Sequence, residues 1–356
     1  MLAVLVPAEH TDMPASSRFT LALALIGAVH TAAQAAAPIP AHRLDNGSIT
    51  VLASEAAGGR VLSFGLSGKA NVLHVDETAG DADAPVNAAT GYIRYQGHEV
   101  WVGPQKTWWT DQDVLPDRAA AKASWPPDPF LTLAPYSLMQ RTPSELVVQS
   151  LPSQVTGIQL RKRYAFVKNR PNSLQLEVTA TNIRKKKVVR DIWFNTRVRV
   201  DTHVYVPIAA EGDVRMQSPE GVDPIRYTMK DGFVSVDLPE PDAAVRKGKL
   251  FIQPAAGWMA GFHSAQAFII QFPLQPRGAI HPDQGQVELY HDVAPGDPVS
   301  GMIEMEVHAP LRTLAPGRSM RASERWTVLP YDGPPTREAH LAFLRQHARH
   351  LGLSAL

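Results

Sequence analysis

Two glutamates separated by a single residue are the side chains best spaced for acid–base chemistry. Glu304 and Glu306 lie in the segment MIEMEVHAPL, where apolar residues occupy the alternate positions. Residues two apart on a β-strand project from the same face, so both carboxylates would share one surface. Neighbouring carboxylates raise each other's pKa, which suits a general base that must also release its proton. A half-exposed strand with two solvated carboxylates is the alternative, and the pattern alone favours it.

Tryptophan is concentrated in one stretch of the chain. Residues 101–130, WVGPQKTWWTDQDVLPDRAAAKASWPPDPF, hold four of the seven tryptophans and follow neither a strand period nor a helix period. Indole rings stack on the C–H-rich faces of sugars, and planar polar side chains bind the hydroxyls, so the stretch predicts the wall of a carbohydrate site. Core filling under a long loop is the alternative for some of these tryptophans. The predicted sugar-binding residues are Trp101, Gln105, Lys106, Trp108, Trp109, Asp111, Trp125 and, from the later strand, Glu304.

Motifs for metal and cofactor binding are missing from the sequence. It has no H-E-x-x-H or His-x-His pair, and the aspartates of DQDVLPD, residues 111–117, lack the glycine and distal glutamate of an EF-hand. A calcium site of another kind at those aspartates stays open. The chain also lacks a G-x-S-x-G elbow, a P-loop and a dinucleotide fingerprint. We therefore expect no metal and no cofactor.

The composition excludes further classes of function. The 356 residues include no cysteine, so the chain has no disulfide framework, no thiolate nucleophile and no cysteine zinc site. Lys and Arg together number 35 and Asp and Glu 34, a formal net charge of +1. A nearly neutral chain has no strong electrostatic attraction to nucleic acid or to anionic lipid. We expect neither as a partner.

The beginning of the chain has the pattern of a secretory signal peptide. From Met13 the sequence gives one positive charge at Arg18, an apolar run over residues 19–29, and an A-x-A arrangement that ends at Ala35. We expect residues 1–35 to be a signal peptide, with Met13 as a possible true start, and the mature protein to be periplasmic or secreted. No later segment approaches the apolar length of a membrane span, although an uncleaved N-terminal anchor remains the alternative.

Short strand-like segments fill the rest of the chain. In SLQLEVTATN, apolar residues at 174, 176, 178 and 180 alternate with polar ones, as in a strand with one buried face. At least a dozen such segments occur without interleaved amphipathic helices, which predicts an antiparallel sandwich over residues 36–335. The segment TREAHLAFLRQHARHL places apolar residues at helical spacing. It predicts a C-terminal helix, within residues 336–356, packed on the sandwich.

The order of several segments resembles a known superfamily. GGRVLSFGLSGKANVLHV, GHEVWVGPQKTWW, LEVTATNIRKKKVVRDIWFNTRV and MIEMEVHAPLRTLAPGRSMRASERWTVLP follow one another as do the strands of galactose mutarotase-like proteins. The resemblance extends over roughly residues 45–330 and is greatest to bacterial proteins of the DUF4380 type. It implies an all-β fold, the β-supersandwich of two large antiparallel sheets, whose concave face holds a carbohydrate.

The resemblance also implies catalytic roles. An aldose epimerase opens a sugar ring with a base at the C1 hydroxyl and an acid at the ring oxygen, and the two exchange roles when the ring recloses. The family's base, a glutamate on a late strand, corresponds to Glu306. The family's acid is a histidine on a central strand, but the segment RDIWFNT has Asp191 there. Among other histidines, His98 and His203 are preferred because both flank segments that the resemblance places around the concave face.

Together these patterns predict an exported protein that binds a mono- or oligosaccharide. Glu306 as base makes aldose 1-epimerisation the accompanying activity to test. The alternative is a non-catalytic periplasmic sugar-binding protein that has lost the catalytic acid. Either function would use the same tryptophan-rich wall.

Overall fold

The computed structural model of the chain describes residues 39–76, 79, 84–239, 245–293 and 301–356. The predicted signal peptide and the possible start at Met13 lie outside these residues. Within the described ranges, no helix is both long enough and apolar enough to cross a membrane.

Two large antiparallel sheets form the fold. The first, which we call the site sheet, has nine strands. Its spatial order is β1 (His42–Asp45), β2 (Ile49–Ser54), β3 (Arg60–Leu66), β4 (His98–Trp101), β10 (Trp193–Arg199), β19 (Met302–His308), β18 (Val287–Val293), β15 (Arg246–Ile252) and β12 (Val214–Gln217).

The second, which we call the back sheet, has ten strands. Its order is β13 (Tyr227–Lys230), β14 (Phe233–Val236), β11 (His203–Pro207), β16 (Trp258–His263), β17 (Gln266–Gln271), β21 (Ser319–Pro330), β8 (Ser173–Asn182), β7 (Ile158–Phe166), β6 (Glu145–Gln149) and β5 (Ser137–Thr142). A separate pair is formed by β9 (Val188–Arg190) and β20 (Arg312–Leu314). The helices are α1 (Pro116–Ala120), α2 (Pro129–Thr132) and α3 (Arg337–Leu351), with 3-10 turns at Gln105–Thr107, Glu211–Asp213 and Arg277–Ala279.

The main hydrophobic core lies between the sheets. On β8, Leu174, Leu176 and Val178 are at most 2% exposed, while the alternate polar residues face outward. Phe194 and Met305 belong to the same core cluster from the site sheet. Period-two alternation thus gives each sheet one apolar face, and the burial of these faces against each other stabilises the sandwich.

Helix α3 covers part of the outer face of the back sheet. The Thr336 hydroxyl accepts a hydrogen bond from the Ala339 N–H at 3.3 Å, and Gly352 at φ 75° ends the helix. Leu341 and Leu344 are buried in a second cluster with residues of β16 and β17, including Phe262. The predicted all-β fold of two antiparallel sheets with a short C-terminal helix is therefore confirmed.

Candidate functional site

The outer face of the site sheet carries ionisable residues in place of a second apolar surface. Strand register puts Glu306 opposite Asn195 on one side and opposite Glu288 on the other. Alternation along β19 places Glu304, Glu306 and His308 on this one face. All five side chains are at least nine-tenths buried, so the two glutamates of β19 are not solvated on a half-exposed strand.

Lys249 lies at the centre of this charged face. Its Nζ donates to Oε2 of Glu306 at 2.7 Å and to Oε2 of Glu288 at 2.8 Å. The Trp193 indole N–H and the Asn195 amide add hydrogen bonds to Glu306 at 3.1 Å and 3.3 Å. One ammonium group therefore bridges two carboxylates that are otherwise closed off from water.

Burial and neighbouring charges shift the pKa values of these groups in different directions. Burial raises the pKa of Glu306 well above its ordinary value, and the attraction of Lys249 does not offset burial together with repulsion from Glu304 and Glu288. Burial works to lower the pKa of Lys249, but Glu288 and Glu306 outweigh it and hold that pKa above its usual range. Burial also works to raise the pKa of Glu288, yet Lys249 and His308 lower it overall. Lys249 is thus the firmly charged cation and Glu306 the carboxyl most readily protonated.

His308 joins this cluster to a buried aspartate, Asp191. Its Nε2 lies 3.4 Å from Oε1 of Glu288, and its Nδ1 lies 3.3 Å from Oδ2 of Asp191. Burial opposes a charge on the imidazole, but the two carboxylates raise the pKa of His308 to about 9. Asp191 also accepts a hydrogen bond from the Gly103 N–H at 2.7 Å. Asp191, which the resemblance matches to a catalytic histidine of galactose mutarotase-like proteins, is therefore a buried anchor that holds His308 and the backbone of the tryptophan stretch.

A ladder of buried ion pairs completes the other half of the face. Arg197 contacts Glu304 at 2.8 Å and Glu99 at 2.7 Å, and Arg60 contacts Glu99 at 2.7 Å. The Tyr92 hydroxyl donates to Glu99 at 2.8 Å. Burial would raise the pKa of Glu99, but the two guanidinium groups lower it to about 2. These paired charges lie beneath the segment that contains Tyr92, so we assign them a structural role.

The face opens into a cleft beside Lys249. The cleft has a volume of about 420 Å³, within the range of about 300–1,000 Å³ that small-ligand sites occupy. Register places Tyr290 opposite Lys249 and Phe251 opposite Glu288, so two half-buried rings flank the charged pair. The lining residues are Pro104, Gln105, Lys106, Ser124, Trp193, Gln217, Ser218, Pro219, Gly248, Lys249, Phe251, His281, Asp283, Gln284, Glu288 and Tyr290.

Of the predicted sugar-binding residues, Gln105 and Lys106 line the cleft. Lys106 forms an ion pair with Asp283 across it. Glu306 does not line the cleft, because Lys249 and Trp193 lie on its carboxylate. The predicted base is therefore central to the charged face but covered.

The expected tryptophan platform is corrected by the structure. Trp108 and Trp109 are at most 1% exposed, and their indole N–H groups donate to the carbonyls of Val102 and Pro126 at 2.6 Å and 2.7 Å. They fill a core beneath the loop, because a buried indole must satisfy its N–H and here does so on backbone carbonyls. This is the alternative interpretation of the stretch.

The remaining residues of the stretch also lie off the cleft. Trp101 is 4% exposed and packs edge-on against Trp193, with ring centroids 4.8 Å apart. Trp125 is 48% exposed, beside Tyr92. Asp111 pairs with Arg184 at 2.7 Å and Lys186 at 2.6 Å, which ties the loop to the basic turn after β8. The structure gives these three residues packing and anchoring contacts outside the cleft.

Neither predicted histidine reaches Glu306. His98 alternates with Glu99 on β4, so its ring faces the core, 2.9 Å from the Thr196 hydroxyl and edge-on to Trp326. Burial there lowers the pKa of His98 well below its ordinary value. His203 lies on the back sheet with its ring 4.9 Å from that of His340 in α3, where burial lowers its pKa. We carry neither histidine into the proposed site.

Lys249, Glu288, Tyr290 and Trp193 were not predicted. The alternation in VELYHDV places Glu288 and Tyr290 on one face, and this signal was available from the sequence. Lys249 gave no such signal, because its role depends on β15 lying beside β18.

Three of the clustered side chains could in principle hold a metal ion. The donor atoms of Glu288, Glu306 and His308 all lie within 4.8 Å of one another, and all three residues are buried. The Lys249 ammonium already lies within hydrogen-bonding distance of both glutamates. In this arrangement the lysine supplies the cation, so we assign the donors to an internal ion-pair network.

Solved structures place the chain in a fold class. A candidate aldose 1-epimerase from Escherichia coli K12 superposes with a TM-score of 0.51 at 14% identity, covering 82% of this chain and 99% of that one. The Slr1438 protein of Synechocystis sp. PCC 6803 superposes with a TM-score of 0.54 at 11% identity, covering 83% of this chain and 97% of that one. A candidate aldose 1-epimerase from Klebsiella pneumoniae superposes with a TM-score of 0.51 at 14% identity, covering 86% of this chain and 82% of that one. The fold is thus the galactose mutarotase-like β-supersandwich.

The family follows from the sequence itself. The model of the domain of unknown function DUF4380 matches residues 39–329, which is most of the chain. The protein belongs to the DUF4380 family. No curated protein matches the chain at a significant level.

Proposed function

We propose that the protein is an exported carbohydrate-binding protein and that its sugar site is the cleft beside Lys249. The observation that carries this proposal is the pair of half-buried rings, Tyr290 and Phe251, on either side of Lys249 and Glu288. Aromatic faces pack on sugar C–H groups, and charged or amide side chains fix the hydroxyls. Export to the periplasm or beyond rests on the N-terminal sequence pattern.

The polar lining suits a ligand rich in hydroxyl groups. Gln105, Gln217 and Gln284 bring amides to the cleft, and Lys249 offers a charged donor beside the Glu288 acceptor. Asp283 and Lys106 pair with each other at the rim, so the rim has no excess of either charge. A neutral mono- or oligosaccharide fits this balance of donors and acceptors.

Calorimetry with a panel of mono- and oligosaccharides tests the binding. Tyr290→Ala should weaken the best ligand about tenfold, because one stacked ring and its area are lost. Tyr227→Ala is the matched control, since Tyr227 is also half-buried but lies on the back sheet. Equal weakening by both variants, or no sugar binding by the parent protein, would contradict the proposal.

Aldose 1-epimerisation is a second candidate function. The resemblance to galactose mutarotase-like proteins implies Glu306 as the base, its pKa is raised, and a charged donor, Lys249, lies 2.7 Å from its carboxylate. In such a reaction the carboxylate takes the C1 hydroxyl proton and the ammonium protonates the ring oxygen, which opens the ring. After rotation about the C1–C2 bond, the ring hydroxyl adds to the other face of C1. It returns its proton to Lys249 while Glu306 returns the other proton to the C1 oxygen, and the sugar ring recloses as the other anomer. Because Lys249 covers Glu306, the sugar would have to draw Lys249 away, and binding is therefore our first proposal.

Exchange between anomers, followed by NMR, separates the two functions. An epimerase accelerates the exchange, and Glu306→Gln should abolish the acceleration while sugar affinity in the cleft is kept. Glu145→Gln, at a half-buried glutamate of the back sheet, should leave the rate unchanged. If the protein binds sugar but the anomers exchange no faster than in buffer alone, the protein is a sugar-binding protein and the epimerase function is excluded.

A further inference from the structure

A gap in the back sheet leads toward the core. Strand β17 pairs with β21 only from Gln266 opposite Pro330 to Gln271 opposite Arg325. Strand β21 begins six residues before that last pair, at Ser319, and it pairs with β8 on its other side from Ser319 to Thr327. Among the described residues, residues 319–324 therefore have a strand on one side only. The space left beyond β17 is the entrance to a crevice that is separate from the cleft beside Lys249.

The lining of this core crevice includes apolar side chains from both sheets, beside polar ones at Gln275, Gln286 and His308. Its volume is about 420 Å³. Phe194 and Val307 come from the site sheet, Met320 from β21 and Leu314 from β20, and all four belong to the main core cluster. A ligand in the crevice would therefore contact apolar side chains of the main hydrophobic core.

The mouth of the crevice is positively charged. Arg312 and Arg321 both line it and are both exposed, and within the described ranges neither guanidinium group has an acidic or hydrogen-bonding partner. Of the residues that the structure describes, no aspartate or glutamate lines the core crevice, whereas Asp283 and Glu288 line the sugar cleft. Apolar side chains within the crevice and two guanidinium groups at its opening are together complementary to an anion that carries an alkyl chain.

We propose that the core crevice binds an anionic amphiphile of the fatty-acid type. The carboxylate would pair with Arg312 and Arg321, because guanidinium groups present two parallel N–H donors to a carboxylate. The alkyl chain would lie along Phe194 and Met320 and remove its surface from water. This inference is independent of the sugar site and goes beyond the proposed function.

A homologous series of fatty acids tests the apolar half of the proposal. Calorimetry with octanoate, decanoate and dodecanoate, below their micelle concentrations, should give affinities that rise about fourfold for each added methylene, since each buried CH₂ contributes about 0.8 kcal/mol. Met320→Trp, which fills the crevice, should abolish binding of all three. Its thermal unfolding is recorded alongside, and if it fails to fold, Ala322→Leu on the same wall replaces it. Affinities that do not change with chain length would overturn the proposal.

Paired arginine variants test the charged half. Arg312→Gln/Arg321→Gln should weaken decanoate about tenfold or more and leave the uncharged decanol unaffected. Arg141→Gln/Arg161→Gln, at two exposed arginines that do not line the crevice, is the matched control. Decanol binding as tightly as decanoate, or equal loss in both double variants, would contradict the anionic head group.

The two sites can be told apart in one set of measurements. Tyr290→Ala in the sugar cleft should leave decanoate affinity unchanged, and saturating sugar should not compete with decanoate. If the protein binds no sugar at all, the binding of decanoate in the core crevice is still expected. Competition between sugar and decanoate would overturn the separate crevice.

Discussion

Lys249 satisfies two buried carboxylates and also keeps one of them from the cleft. Its contacts with Glu288 and Glu306 are both shorter than 3 Å, and it lines the cleft where Glu306 does not. Buried charges are costly unless paired, so this lysine is as important to the site sheet as to any ligand. Any chemistry at Glu306 must begin with a movement of Lys249.

Removing the lysine should therefore destabilise the protein through the carboxylates it leaves behind. We expect Lys249→Ala to lower the free energy of unfolding by about 3–5 kcal/mol, as for other broken buried pairs. Adding Glu306→Gln should recover part of that loss, since Gln keeps the shape without the charge. Urea unfolding of the two single variants and the double variant gives the coupling energy, and simple additivity would show that the lysine and the glutamate do not interact.

The candidate site shows what local sequence can and cannot reveal. Alternation placed Glu304 and Glu306 on one face, and the cleft does include Gln105 and Lys106. The direction of Trp108 and Trp109 could not be predicted, because an irregular loop has no period from which a buried side can be inferred. Lys249 enters the site only through strand order, which no local pattern encodes.

The tryptophan stretch behaves as one packed element. Trp101, Trp108, Trp109 and Trp193 share a hydrophobic cluster that is separate from the main core. Its start is fixed where the Gly103 N–H meets Asp191, and a Cβ at Gly103 would lie 2.3 Å from Oδ1 of Asp191. The glycine is required by this close approach of backbone and carboxylate.

Gly103→Ala should consequently loosen the stretch. We expect a loss of about 1–3 kcal/mol of unfolding free energy, because the methyl group must displace a buried carboxylate. Gly91→Ala is the matched control, since a Cβ at Gly91 meets nothing within 4 Å. Chemical denaturation measures both, and equal stability of the two variants would contradict the close approach.

Helix α3 is expected to stabilise the sandwich through its apolar side. Leu344 is fully buried against the back sheet, so Leu344→Ala should cost about 2–5 kcal/mol. Leu274→Ala, at a leucine that is 48% exposed, should cost far less. Thermal unfolding compares them, and a similar melting temperature for both variants would mean that the helix contributes little to the fold.

Among the residues that the structure describes, the core between the sheets contains two ionisable side chains that form no ion pair, Glu324 and Lys162. Glu324 lies fully buried on β21, where its carboxyl accepts a hydrogen bond from the Trp326 indole N–H at 2.8 Å, and burial raises its pKa to about 8. Lys162 donates to the Gly58 carbonyl at 2.7 Å, and burial lowers its pKa to about 7. Burial thus shifts both groups toward their uncharged forms.

Stability should depend on pH through Glu324. A carboxyl whose folded-state pKa is raised stabilises the protein fully below the unfolded value of 4.5, and that contribution is lost as the pH rises through about 8. The free energy of unfolding of Glu324→Gln should match that of the parent near pH 4 and exceed it at pH 9. The excess is at most about 5 kcal/mol, because each unit of pKa difference between the folded and unfolded states corresponds to about 1.36 kcal/mol. Unfolding curves over this range, with the exposed Glu220→Gln as control, measure the difference; parallel profiles for parent and Glu324→Gln would contradict it.

The sequence predicted the general architecture better than its topology. Alternation in segments such as β8 indicates strands with one buried face, and helical spacing indicates α3, because both signals are local. Sheet order joins strands far apart in the chain, such as β4 beside β10 and β15 beside β18. The resemblance to galactose mutarotase-like proteins supplied the two-sheet arrangement that local patterns could not.

The packed tryptophans give the molecule an optical signature. The rings of Trp101, Trp108 and Trp193 lie with centroids 4.8–5.9 Å apart, two of the three pairs nearly perpendicular. Indole transitions at such separations couple, so the far-ultraviolet circular dichroism should contain a paired band of opposite signs from the strong indole transition. That band would report whether the loop is seated on the site sheet, and thus whether Lys249 and Glu306 have their walls in place, without any added probe.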